Sequence, residues 1–82
     1  MTGIYKITNK INNKVYIGQS VNIENRFQQH KNNCLNENLK DYNTKFYRAL
    51  RKYDVENFTF EVLEELDKEE LNEREKYWVS FL

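Results

Sequence analysis

Glu75 stands where a carboxylate needs an explanation. Leu71, Glu75, Trp78 and Leu82 are spaced i, i+4, i+7 and i+11, which makes them one face of a helix, and that face is otherwise apolar. A carboxylate turned toward a core costs roughly several kcal/mol unless it is paired, protonated or bound to a cation. Glu73 lies about 200° around the same helix from Leu71 and is solvated, as are Glu69 and Glu70. The plain alternative for Glu75 is a salt bridge to Arg26 or Arg74. Two tyrosines raise a related question. Tyr5 lies in GIYKIT (Gly3 to Thr8) and Tyr16 in KVYIGQ (Lys14 to Gln19), two strand-like runs joined by the turn sequence Asn9 to Asn13. The spacing leaves the hairpin register open, but any loop pairing residues whose numbers sum to an odd value, such as Asn9 with Lys14, puts Tyr5, Ile7, Tyr16 and Gly18 on one face, and with that pair Tyr5 faces Gly18 and Tyr16 faces Ile7. The tyrosines are then diagonal neighbours, roughly 7–8 Å apart. Arg26 and His30, four residues apart, share a face of the next helix. Each has an ordinary reading: strand aromatics, a bulge at Gly18, a surface histidine, and a surface Arg26 paired with Glu24 or Asp41.

Charge separates along the chain. Met1 to Lys52 holds ten basic and three acidic residues, and Tyr53 to Leu82 holds three basic and ten acidic ones. The whole is neutral, with 13 of each sign, which argues against a polybasic, histone-like protein. The split points to a basic surface for a polyanion, to two halves that attract one another, or to plain solvated faces. Lys45, Arg48, Arg51 and Lys52 gather on the outside of one helix.

Periodicity supplies the scaffold for these side chains. Ser20 or Asn22 caps a first helix to about Asn33, with Ile23 and Phe27 as its buried edge. Asn33 to Asp41 reads as a loop. Asn43 caps a second helix, Thr44 to Tyr53, with Phe46, Leu50 and Tyr53 inward. Phe58 to Glu64 alternates Phe58, Phe60 and Val62 on one side, a third strand. Asp67 caps the last helix. The order ββααβα predicts an α+β domain, a three-stranded antiparallel sheet flanked by three helices.

At 82 residues the chain has room for one domain, and such a chain buries only roughly 60% of the surface its unfolded form exposes. Composition, 39% hydrophobic and 32% charged, fits a soluble folded domain. No run approaches the ~18 apolar residues of a membrane span, and the start does not read as a signal peptide. The single cysteine, Cys34, excludes an internal disulfide and a multi-thiolate zinc site, which fits a reducing, cytoplasmic setting.

Gly3-Ile4-Tyr5 and, further on, Tyr16-Ile17-Gly18 resemble the paired motif that names the GIY-YIG endonucleases. Arg26, His30 and Glu75 fall in the order and spacing of that family's Arg, His and Glu, and the resemblance spans essentially the whole chain. It is strongest to the catalytic domains of phage and intron homing endonucleases. The resemblance implies hydrolysis of DNA phosphodiester bonds with a single Mg²⁺ or Mn²⁺ held by Glu75. Arg26 would pair with the scissile phosphate, Tyr5 would orient the water and act as general base, and Tyr16 would bond to the phosphate or the water. His30 would assist proton transfer or brace the phosphate, and Gly18 would let the phosphate approach its backbone. Lys45, Arg48, Arg51 and Lys52 would meet flanking DNA. Sequence choice would lie in a DNA-binding region after Leu82. The family core runs on to a further Asn past this point, so residues 1–82 are expected to be a domain of a longer protein or a reduced version. The rival reading is a clamp that binds nucleic acid on the same fold without cutting it. A structural domain with no ligand comes third.

Overall fold

The computed structural model describes residues 1–81. The central strand, β1 (Gly3–Asn9), is antiparallel to β2 (Val15–Ser20) on one side and to β3 (Phe58–Glu65) on the other. Of the registers that keep the four residues on one face, the hairpin takes the one with Tyr5 opposite Gly18 and Ile7 opposite Tyr16. Its loop is built from asparagines. The Asn9 amide donates to the Lys14 carbonyl (2.9 Å), Asn13 takes the left-handed conformation at φ 62°, and Asn9 Oδ1 accepts the Ile11 amide. Asn tolerates that backbone region better than other non-glycine residues.

Helix α1 (Ile23–Asn33) is capped by Asn22, whose Oδ1 accepts the Asn25 amide at 3.1 Å. Helix α2 (Lys45–Tyr53) is capped by Thr44 rather than Asn43, with Thr44 Oγ1 accepting the Tyr47 amide. The expected loop before it contains a short 3-10 turn at Lys40–Asn43. Helix α3 (Leu71–Phe81) begins later than expected: Asp67 makes no side-chain cap, and a 3-10 turn at Lys68–Glu70 leads in. The expected stripe partner Leu82 lies outside the described residues. Among them, no helix is long and apolar enough to cross a membrane.

Pairing and alternation assign the two faces of the sheet. Tyr5, Ile7, Ile23, Cys34, Tyr47, Leu50 and Phe58 form the core beneath α1 and α2, with Phe27, Phe46 and Phe60 packed around it. Ile4, fully buried, faces the other way, as do its pair partners Gln19 and Glu64, and α3 lies on that side. Strict alternation from Phe58, Phe60 and Val62 would put Glu64 beneath α1. A register shift between Ile4 and Tyr5 inverts the parity, so Val62 opposes Tyr5 while Glu64 opposes Ile4. Glu64 then accepts from Arg74 Nε (2.8 Å) and Trp78 Nε1 (3.2 Å) and ties α3 to the sheet. Gly3 sits opposite this bulge, where a Cβ would collide with the Glu64 carbonyl.

Candidate active site

Tyr5 is the centre of the site. It is only 5% exposed, with the Phe27 ring edge-on at 5.2 Å. Gly18 is a glycine because the Tyr5 ring lies where its side chain would be: a Cβ there would clash with the ring carbons and with the hydroxyl. The room that Gly18 leaves on this side is filled by the Tyr5 ring.

The Tyr5 hydroxyl meets His30 Nε2 at 2.9 Å, and His30 Nδ1 meets the Tyr47 hydroxyl at 3.1 Å. His30 is therefore not a surface histidine: it is 5% exposed and has the Phe46 ring edge-on at 5.1 Å. Burial above all, then the nearby Arg26 charge, pushes its pKa down from 6.5 to about 4, against a smaller opposing pull from Asp41. Burial likewise raises the Tyr5 phenol, and Glu75 adds to this, while the Arg26 guanidinium beside the oxygen works the other way without overcoming it. At neutral pH the resting pair is neutral tyrosine and neutral imidazole.

The depressed histidine has a consequence for stability. Between about pH 6.5 and 4 an unfolded chain protonates His30 while the folded chain does not. Its contribution is complete above about pH 6.5 and is lost as pH falls toward 4, on the order of 3 kcal/mol in all. Urea titrations of wild type and His30→Gln across pH 7 to 4 are expected to show the wild type losing stability more steeply, since glutamine takes up no proton. Parallel curves would show that His30 titrates alike in both states.

Arg26 lies one turn before His30, half-buried, with Nη1 donating to Gln29 Oε1 at 3.3 Å. It makes no ion pair with Glu24 or Asp41. Glu75 arrives from α3 at the β2 edge, where successive residues serve both faces: Gly18 under Tyr5, Gln19 toward α3. Gln19 Nε2 donates to Glu75 Oε2 (3.1 Å) and to Asn72 Oδ1 (2.8 Å). The salt-bridge explanation of Glu75 does not hold. Arg74 is taken by Glu64, and among the described residues no cation pairs with Glu75. A half-buried carboxylate with one neutral donor keeps free lone pairs. No three His, Cys, Asp or Glu side chains gather among the described residues. The donor set thus fits one hard cation on a single carboxylate completed by water, not a multi-carboxylate cage.

Tyr16 is placed differently. It shares the sheet face of Tyr5, but its ring packs on Phe46 (4.6 Å) and it lines a cleft of about 480 Å³ with Asn12, Lys14, Val15, Lys45, Arg48, Ala49, Lys52 and Tyr53. Tyr5, Arg26 and Glu75 do not line that cleft. Its pKa is raised, by burial first and then by Tyr53. Of the four cations expected to meet DNA, Lys45, Arg48 and Lys52 ring this cleft. Arg51 does not: its Nη1 donates to the Cys34 carbonyl at 2.6 Å and its guanidinium stacks on Tyr42 at 3.8 Å. The two charged halves are barely joined, since among the described residues the one ion pair between them is Lys6–Glu61 at 4.0 Å. Sequence reasoning missed Tyr47 and Gln19. Tyr47 stands at i−3 from Leu50, a helical spacing that would have placed it inward; nothing marked Gln19.

The comparisons bear on the family and the fold. Residues 1–80 match the model of the GIY-YIG catalytic domain. Intron-associated endonuclease 1 of Enterobacteria phage T4 is 34% identical over 83 residues, covering 99% of this chain and 33% of that protein. The phage T4 protein segB, whose name carries the word endonuclease, is 42% identical over 77 residues, covering 93% of this chain and 30% of its own length. The chain thus spans about a third of these relatives. Among solved structures, the catalytic domain of homing endonuclease I-TevI superposes with a TM-score of 0.83 at 31% identity, covering all of this chain and 88% of that one. Shared motif order, a shared α+β fold and a match along nearly the full length lead to one conclusion: the chain belongs to the GIY-YIG catalytic domain family.

Proposed function

We propose that this chain is the metal-dependent catalytic domain of a DNA endonuclease, hydrolysing phosphodiester bonds with little sequence preference of its own. The carrying observation is the Tyr5–His30 hydrogen bond, buried and flanked by the Arg26 guanidinium and the Glu75 carboxylate. A water molecule donates to the Tyr5 oxygen as its own oxygen attacks phosphorus. Tyr5 passes its proton toward His30 Nε2, and the bond from phosphorus to the 3′-oxygen breaks. Arg26, always charged and able to bind two oxyanions at once, holds the phosphate. Glu75 would hold one Mg²⁺ or Mn²⁺, which when bound supplies charge stabilisation to the leaving oxygen. Tyr16, at the rim of the basic cleft, contacts the flanking backbone. Target choice belongs to other parts of a longer protein, as the relatives' greater length suggests.

The test is cleavage of duplex DNA by wild type, Tyr5→Phe and Arg26→Ala, with DNA affinity measured in parallel. Tyr5→Phe is expected to lose about 10²–10⁴-fold in rate while binding DNA as before. Wild-type binding with no cleavage under any divalent ion would favour the clamp.

The basic cleft yields a second expectation. Log affinity for duplex DNA should fall linearly with log salt, and Arg48→Ala with Lys52→Ala should flatten the slope by roughly two. Arg51→Ala should leave the slope alone and lower the melting temperature, because it removes the clamp on the Cys34 carbonyl. A slope that Arg51→Ala flattens and the double variant does not would move the DNA path away from the cleft.

A further inference from the structure

We propose that Tyr47 is a positioning residue of the catalytic site: by accepting the Nδ1 proton of His30 it fixes the imidazole tautomer that leaves Nε2 free for the Tyr5 proton. The kinetic part of this rests on the nuclease reading above; the tautomer does not. Among the described residues, the Arg26 guanidinium beside the Tyr5 oxygen only donates, and the acceptor within hydrogen-bond distance of it is His30 Nε2 at 2.9 Å. A neutral, buried phenol places its proton on an acceptor, here Nε2. His30 is neutral, so if Nε2 is bare its single proton sits on Nδ1. The atom facing Nδ1 is the Tyr47 hydroxyl oxygen at 3.1 Å, on a residue 3% exposed. The Asn33 side chain lies beside that hydroxyl and favours negative charge on its oxygen.

Tyr47 is held for this role by its own helix. It lies in the first turn of α2, its amide bonded to the Thr44 cap, and its ring is edge-on to His30 at 5.8 Å. Without the Tyr47 oxygen, the Nδ1 proton would be buried with no acceptor, and the imidazole would favour the other tautomer. That tautomer donates from Nε2 to Tyr5 and blocks it from giving up its proton. Tyr47 acts through His30.

The chain has one histidine, so its imidazole nitrogens can be read in the whole domain without assignment. ¹⁵N spectra of histidine-labelled protein at pH 7 should show wild type with the proton on Nδ1. Tyr47→Phe, which keeps the ring and removes the oxygen, should shift the population toward the Nε2-protonated form. The same variant should lose on the order of tenfold in kcat with KM unchanged. Wild type protonated on Nε2 would overturn the proposal, as would Tyr47→Phe with an unshifted tautomer or an unchanged kcat. The wild-type spectrum decides alone should Tyr47→Phe not fold. A wild type with the expected spectrum that never cuts DNA would defeat the nuclease reading and leave the tautomer assignment standing.

Discussion

Glu75→Gln is expected to lower cleavage by orders of magnitude while the melting temperature holds or rises. The carboxylate is half-buried, accepts one hydrogen bond from Gln19, and pairs with no cation among the described residues. Removing its charge therefore breaks no ion pair. An amide oxygen at the same position still accepts from Gln19, and the cost of holding a charge partly away from water disappears. On the proposed mechanism, what is lost is the carboxylate that would hold the cation, and with it the charge stabilisation that cation would give the transition state. DNA affinity without metal should hold or rise slightly, since a negative charge near the phosphate is gone. Glu73→Gln, on the exposed face, should leave cleavage, affinity and melting unchanged. A sharp fall in melting temperature for Glu75→Gln, with cleavage per folded molecule retained, would make Glu75 a structural residue.

Gly18→Ala is expected to damage the site almost as severely by a different route. The added methyl falls on the ring and hydroxyl of Tyr5. Tyr5 has little room to retreat, because Phe27 packs against it and His30 holds its oxygen. Either the ring tilts or β2 moves off β1. Overpacking of this kind costs about 1–3 kcal/mol. If the ring tilts, the 2.9 Å bond to His30 is lost, and if β2 moves, Gln19 and the Glu75 carboxylate bonded to it are displaced from Tyr5, so cleavage should fall by about 10²-fold or more. Metal-free DNA affinity should be nearly unchanged. If affinity fell first and cleavage dropped in proportion, Gly18 would instead serve the approach of the phosphate. Wild-type cleavage in this variant would separate Tyr5 from the chemistry.

Which of these relations can be read from the sequence depends on their range. The hairpin register is legible because two strands share a short turn and parity leaves few choices. That parity alone puts Tyr5, Ile7, Tyr16 and Gly18 on one face, and the fold chooses among the registers the one that sets Tyr5 against Gly18. The isolation of Glu75 in an apolar stripe is legible from helical spacing. The bulge opposite Ile4 is not, because an inserted residue leaves the alternation of Phe58, Phe60 and Val62 intact and changes only the residues beyond it. As a result the union of Glu64 with Arg74 and Trp78 is invisible in the sequence. Arg51 looks like its neighbours in charge and spacing, and only the folded loop gives it the Cys34 carbonyl and the Tyr42 ring. His30 reads as exposed because its burial depends on α2 closing over α1, a contact between segments distant in sequence. The lateral placement of Tyr16 is hidden for a similar reason: its ring packs on Phe46 of α2. The cap positions at Thr44 and Asp67 are obscured by local competition among several capping residues in a row.

The nuclease reading is tested most directly by conversion of supercoiled plasmid to open circle by this domain, monitored with Mg²⁺ and with a chelator. A Tyr5–His30 site with Glu75 as its cation ligand predicts nicking that requires the divalent ion, disappears in Tyr5→Phe and Glu75→Gln, and yields a 5′-phosphate beside a 3′-hydroxyl. DNA that is bound but stays supercoiled in Mg²⁺ and Mn²⁺, or nicking that the chelator does not affect, would contradict it.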